Sequence, residues 1–290
     1  MGVLVSALTW SWDYFFVPQN QSTPEGTGFG TFSAIHLAVL AVLAIGIAAL
    51  VLGYRRADTD RRRRLRLVVG WSVLMLEVLR QIAYVVTGTY SPEILPLHVC
   101  AIATFSIFID ALRPNRWTSD FLYAMGCWGA LAADLFPDWA NRPILNVFTW
   151  QSFTIHALIF GYVLMRLVAG DLVPDIRNLG RVAIVVVVFA TIGYLANQVW
   201  GTNFWFLNVG VPGSPLEGIQ MLAGNLYVPV LIVLVAILWA AMYLPWVVRA
   251  RRSRGVPCGR CRSLRPPVPL QPEGSHLRNS PVIGKIDRAD

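Results

Sequence analysis

In LPLHVCAIATF, residues 95–105, a histidine and a cysteine stand two residues apart at the head of an apolar run. These residue types can make a nucleophile. A thiol reacts as its thiolate, and an imidazole within reach can take the proton. On a helix two residues are about 200° apart, so His98 and Cys100 do not aim at one substrate atom. Cys100 therefore needs a base from another element. His156, in WQSFTIHALIF, offers one at a similar depth. The chemistry open to such a pair is acyl transfer. The thiolate attacks an ester carbonyl and forms a thioester; the imidazolium protonates the leaving oxygen; an alcohol or water then accepts the acyl group. An oxyanion donor completes the set. Arg80, Gln151 and Asn197 are candidates, and the sequence does not select among them.

Each of these residues also has a packing explanation. A single buried cysteine is usually a small hydrophobe, as Cys127 in MGCWG illustrates. Glu77 and Arg80, at i and i+3, can neutralise each other on one helix face. His36, in FGTFSAIHLAVL, can bond a neighbouring helix. What sets the group apart is depth. At ~1.5 Å per residue, His36, Glu77, Arg80, His98, Cys100, His156, Asn197 and Gln198 fall in one band, and Asp110 sits apart near an opposite end. Convergent polar groups inside a helical bundle are how a binding site is built there.

The elements that must hold these residues are membrane helices. Of 290 residues, 56% are hydrophobic and 14% charged, and mean hydropathy is +0.55. A soluble domain carries about 25% charged residues. Seven apolar runs approach the ~18–20 residues that cross a bilayer as a helix. They lie at 32–54, 66–88, 94–112, 117–135, 147–169, 180–200 and 223–248. The fourth is broken by Gly126, Gly129 and Asp134, small or polar residues that suit a helix packed among others. The expected fold is an all-α, polytopic bundle of seven transmembrane helices.

Arginine sets the orientation. Residues 55–66 hold seven arginines; Arg113 and Arg116 follow, then Arg166, Arg177 and Arg181, then nine arginines and Lys285 from Arg249 onward. With seven spans these fall on one side, and only Arg142 falls on the other. The arginine-rich side is cytoplasmic, which puts the N-terminus outside and the C-terminus inside. The net charge of +8 is then a topology signal and calls for no nucleic-acid partner, although Arg61–Arg64 can also attract anionic headgroups.

Residues 1–31 read as an external interfacial segment, 32–248 as the seven-helix transmembrane domain, and 249–290 as a basic cytoplasmic tail, disordered over 253–290. Trp10, Trp12, Tyr14, Phe15 and Phe16 suit an interface. The N-terminus does not read as a cleaved signal peptide. MGVLVS fits a myristoylation pattern that an external N-terminus makes coincidental, and Asn20-Gln21-Ser22 is a formal glycosylation sequon. Cys258 and Cys261 form a lone C-x-x-C, short of a four-ligand zinc site even with His276.

The segments FSAIH at His36, LPLHVC at Cys100, WQSFTIH at His156 and GTNFWFLNVGVPGSPLEG at 201–218 together resemble the YwaF-like integral membrane proteins, grouped with the transmembrane-protein-164 family. LPLH-x-C and TNFWFL are the specific parts. The resemblance implies a lipid acyltransferase that moves a fatty acyl chain between phospholipids, with Cys100 and His156 at the positions of the family's cysteine and histidine. It gives no role to His36 or His98, and it does not fix the substrate. A similar fold occurs in the androgen-induced membrane hydrolases, which pair a threonine with a histidine.

Three readings follow. The first is a Cys100/His156 acyltransferase or lipid hydrolase of the cell (plasma) membrane, acting on phospholipids or other acyl lipids with no cofactor or metal. His36, Glu77, Arg80, His98, Gln151 and Asn197 form its polar surround. The second is a zinc hydrolase with His36, His98 and His156 as ligands, although no H-x-x-x-H or H-E-x-x-H pair is present. The third is a transporter or binding protein, for which no internal repeat speaks.

Overall fold

The computed structural model describes residues 14–254. The expectations for the first residues, the tail and its C-x-x-C lie outside the described residues. Within them all regular structure is helical: α1 Ala34–Arg56, α2 Thr59–Val86, α3 Val99–Leu112, α4 Arg116–Phe121, α5 Cys127–Leu135, α6 Val147–Ala169, α7 Leu179–Trp200, α8 Pro215–Ala223 and α9 Tyr227–Arg254. Local signals set the boundaries. Ser33, Asp58 and Asn146 cap α1, α2 and α6 by accepting backbone N–H groups of the first turn. Gly170 and Gly201 end α6 and α7 in the left-handed conformation.

Five stretches are long and apolar enough to cross a membrane: Ala34–Arg56, Thr59–Val86, Val147–Ala169, Ile176–Trp200 and Pro215–Arg251. The other two expected runs are interrupted. The third begins as a helix only at Val99 and has 14 residues, because Pro92 opens a separate 3-10 turn, Pro92–Ile94, and Pro96 holds Leu95 extended. His98 is the extended cap of α3 rather than a helical residue, so the 200° separation from Cys100 does not apply. The fourth run is divided by a π-helical turn, Leu122–Gly126, between α4 and α5. In the last, Gly224 (φ 51°, ψ −122°) ends α8 ahead of α9.

Helix α6 is the centre. In its most apolar window 61% of residues are buried, against 11–28% in the other four stretches. It packs against α1, α2, α3 and α5, and α2 also lies along α3. At that seam Gly70 leaves no room for a side chain: a Cβ there would lie 2.7 Å from Ala111 Cβ. The apolar core runs through Val73, Ile107, Leu122, Ile159 and Tyr162, while α1, α7 and α9 expose Ile45, Val187 and Ile237, the pattern of helices with a lipid-facing side.

The end of the bundle opposite His36, Cys100 and His156, where the sequence sets Asp110 apart, holds a buried hub. Asp110 on α3 is fully buried and pairs with Arg166 of α6. It also accepts from Tyr162 Oη at 2.7 Å, Thr118 Oγ1 at 2.8 Å and Ser119 Oγ at 2.8 Å. Nearby, Asp171 accepts from Tyr54 Oη at 2.6 Å and Arg62 Nη1 at 2.9 Å. These bonds join α1, α2, α3, α4 and α6 at that end.

Candidate functional site

At the other end a cavity of about 730 Å³ opens between α2, α3, α5 and α6. Its walls are mixed. Ile94, Val99, Ala132, Phe136 and Ile155 give apolar surface; Glu77, Arg80, Glu93, Asp138 and Gln151 give polar surface. A space lined in both ways suits an amphipathic molecule such as a lipid.

His156 lies on α6, 8% exposed. Its Nδ1 is 2.7 Å from the carbonyl of Ser152, one turn earlier. A carbonyl only accepts, so Nδ1 carries the proton and Nε2 keeps its lone pair. Trp139 stacks on the ring at 5.3 Å between centroids and 17° between planes. Tautomer and orientation are therefore both fixed, and Nε2, which has no hydrogen-bond partner among the described residues, is the basic atom. Cys100, in the first turn of α3, is a free thiol lining the same cavity. No hydrogen bond joins the two groups in this structure; such bonds often form only around a substrate.

His98 lines the cavity between Phe204 and Phe206, with ring centroids 5.1 Å and 5.4 Å away. Glu77 and Arg80 form a forked ion pair, Nε–Oε2 3.0 Å and Nη2–Oε1 2.8 Å. Gln81 adds a third donor to Glu77 at 2.7 Å. Mutual neutralisation explains how α2 carries both charges within an apolar helix.

Two members of the expected polar surround are absent from the cavity wall. His36 is fully buried. Phe32 N–H donates to its Nδ1 at 2.9 Å, and its Nε2 meets the Asp134 carbonyl at 2.9 Å. With both nitrogens engaged on backbone, His36 does not join His98 and His156 as a ligand set, and no group of three candidate metal ligands occurs among the described residues. Asn197 instead organises the chain after α7: its Oδ1 accepts from Thr202 Oγ1 and Phe204 N–H, and its Nδ2 donates to Phe204 O.

That chain forms one wall. Trp205 and Phe206 stand at φ 59° and 53°, a left-handed conformation unusual for aromatic residues. Trp205 Nε1 donates to Leu97 O at 2.8 Å, which ties the loop to the residue before His98. Trp205, Phe206, Val211 and Leu216 all line the cavity. TNFWFL stood out in the sequence, but only folding reveals it as a wall.

Nothing in the sequence marked the other wall residues as part of a site. Residues 14–20 cross the cavity end as a strap. Asn146 Nδ2 donates to the carbonyls of Tyr14 and Val17, and Arg142 to those of Pro18 and Gln19. Gln19 Nε2 donates to Ser152 Oγ at 2.9 Å. The sequon's Asn20 lines the cavity and donates to Thr89 O at 2.6 Å. Asp138 lies in the loop after α5, exposed by area, and lines the cavity. The protein mass around it, which displaces water, pushes its carboxyl up to about 6, against the opposing effects of its own backbone N–H and of the Arg142 charge.

The chain matches the profile of the TMEM164 family over residues 31–243. No curated protein and no solved structure matches it. The matched stretch contains Cys100, His156 and the helices that frame the cavity, and it leaves out the strap. The chain thus belongs to the TMEM164 family, and it is an integral membrane protein.

Proposed function

We propose that this protein is a membrane-embedded lipid acyltransferase or lipid hydrolase, with Cys100 as nucleophile and His156 as general base. One observation supports it above the rest: a free thiol and an imidazole with its Nε2 lone pair uncommitted come from different helices to one amphipathic cavity. The thiol proton passes to Nε2 as sulfur bonds to the carbonyl carbon of an acyl ester. The carbon–oxygen bond to the leaving alcohol breaks, and that oxygen takes the proton from Nε2. The thioester is then opened by a second alcohol, or by water, which gives its proton to Nε2 and restores the thiol. No metal or cofactor takes part.

In this reading α3 and the α4–α5 pair cross with the five longer stretches, giving seven crossings. The N-terminus is outside and the C-terminus in the cytoplasm of a cell whose plasma membrane holds the protein. The substrates are phospholipids or other acyl lipids, entering between helices from the outer half of the bilayer. Purified protein incubated with mixed phospholipids, beside Cys100→Ala and His156→Ala, tests this by lipid mass spectrometry. Acyl exchange or fatty-acid release is expected in wild type and in neither variant. Activity that survives Cys100→Ala would move the chemistry to another group; none in wild type would leave the cavity as a binding or transport site.

A further inference from the structure

We infer that Gln151 is the oxyanion donor of this site, its side-chain amide holding the negative oxygen of the tetrahedral intermediate. The inference rests on the thiol reading above and adds a residue whose role the sequence left open.

Most of the amide, guanidinium and indole N–H groups open to this role are already engaged or covered. Arg80 is forked onto Glu77, and its Nη2 also donates to Ile94 O at 3.3 Å. Asn197 is spent on the backbone after α7. Gln19 has one N–H on Ser152 Oγ, and Asn20 is turned to Thr89 and Ser91. Trp139 has an indole N–H without a partner, but that atom is covered by protein. Gln151 differs from all of these. It lines the cavity, it is only half-buried, and its amide makes no hydrogen bond among the described residues.

A half-buried amide with no protein partner is free to donate to whatever occupies the cavity. Gln151 also sits on α6, the helix that carries His156, so donor and base share one rigid element whose start is fixed by the Asn146 cap. A donor on a rigid helix needs little reorganisation when charge develops, the condition under which such groups act best. During acylation the sulfur–carbon bond forms, the carbonyl π pair moves onto oxygen, and the thiol proton moves to His156 Nε2. The Gln151 N–H then donates to that oxygen. When the intermediate collapses the pair returns, the leaving oxygen departs with the proton, and the Gln151 bond relaxes.

The experiment compares two reactions of one thiol. A p-nitrophenyl fatty acyl ester reports acylation through the burst of nitrophenolate and the added acyl mass on Cys100. Iodoacetamide alkylates the same thiol by direct displacement, which makes no oxyanion. In Gln151→Met, of similar length without a donor, and in Gln151→Glu, an acceptor of similar shape, the acylation rate is expected to fall about 10²–10³-fold. Alkylation is expected to stay at the wild-type rate, which also reports that the cavity is intact. Acylation at the wild-type rate in a folded variant overturns the inference. So does an equal loss of both reactions, which would make Gln151 a support for the thiol. A wild-type protein that alkylates but never acquires acyl mass on Cys100 overturns the thiol reading itself, a result distinct from the other two.

Discussion

Two histidines of one fold show how far a single residue can be read. His36 and His156 look alike in sequence, each embedded in an apolar helix. His36 is locked by Phe32 N–H and by a carbonyl 98 residues away, a partner no local pattern announces. His156 bonds within its own turn and keeps one nitrogen free. His36→Ala should therefore cost stability, about 2–5 kcal/mol from two unpaired backbone groups and a void. The measurement is unfolding in detergent micelles, and iodoacetamide labelling of Cys100 in the folded fraction should be unchanged. A wild-type midpoint would show that the ring is no lock. Asp138 yields a pH dependence. Its folded carboxyl is pushed up to about 6 from the ordinary 3.8, so the native state holds its proton more tightly than the unfolded chain. That contribution to stability is complete below about 3.8 and is lost as pH rises through about 6. Thermal midpoints taken between pH 5 and 7.5 should fall more for wild type than for Asp138→Asn. Parallel profiles would mean that Asp138 is solvated as in the open chain.

At the scale of elements, the apolar runs were legible because span length and hydropathy are local properties. The run 147–169 coincides with α6 to the residue, since a capping asparagine and a terminal glycine mark its ends. The interruptions were less legible. A π-helical turn has no composition of its own, and the shortening of α3 follows from two prolines whose effect depends on the turn they join. The role of the 201–214 loop was hidden for a different reason: its residues reach the cavity through contacts with α7, with α8 and with Leu97 ahead of α3. Gly210 permits one of those contacts. A Cβ there would lie 2.6 Å from the backbone carbonyl of Leu216, a clash with backbone that cannot rotate away. Gly210→Ala should push the loop off α8 and loosen the wall formed by Trp205, Phe206 and Val211. A water-soluble charged maleimide is expected to label Cys100 several-fold faster in that variant. An unchanged rate would mean that reagents reach the thiol by a path this loop does not line.

For the whole molecule, the bundle has two unlike ends. One holds the cavity, with polar groups that are partly unpaired. The other holds Asp110 at the centre of a hub in which its carboxylate accepts three hydroxyl donors and Arg166. Little in the sequence warned of the hub, because Asp110 and Arg166 are 56 residues apart and each sits near a helix end, where a charge is ordinary. Their burial makes the two partners unequal. Without Arg166, Asp110 keeps three donors, the hydroxyls of Tyr162, Thr118 and Ser119. Without Asp110, Arg166 is a buried cation left with Ser119 Oγ at 3.1 Å and the face of Tyr162 at 5.7 Å, and a guanidinium does not shed its charge. Breaking a buried pair typically costs about 3–5 kcal/mol. Asp110→Ala should reach that range, Arg166→Met should cost clearly less, and the double variant Asp110→Leu/Arg166→Met should recover part of the loss by removing both charges. Unfolding in detergent across the four proteins measures this as a double-mutant cycle. Equal losses for the two single variants, with no recovery in the double, would mean that packing around these side chains, rather than the stranded charge, holds this end together.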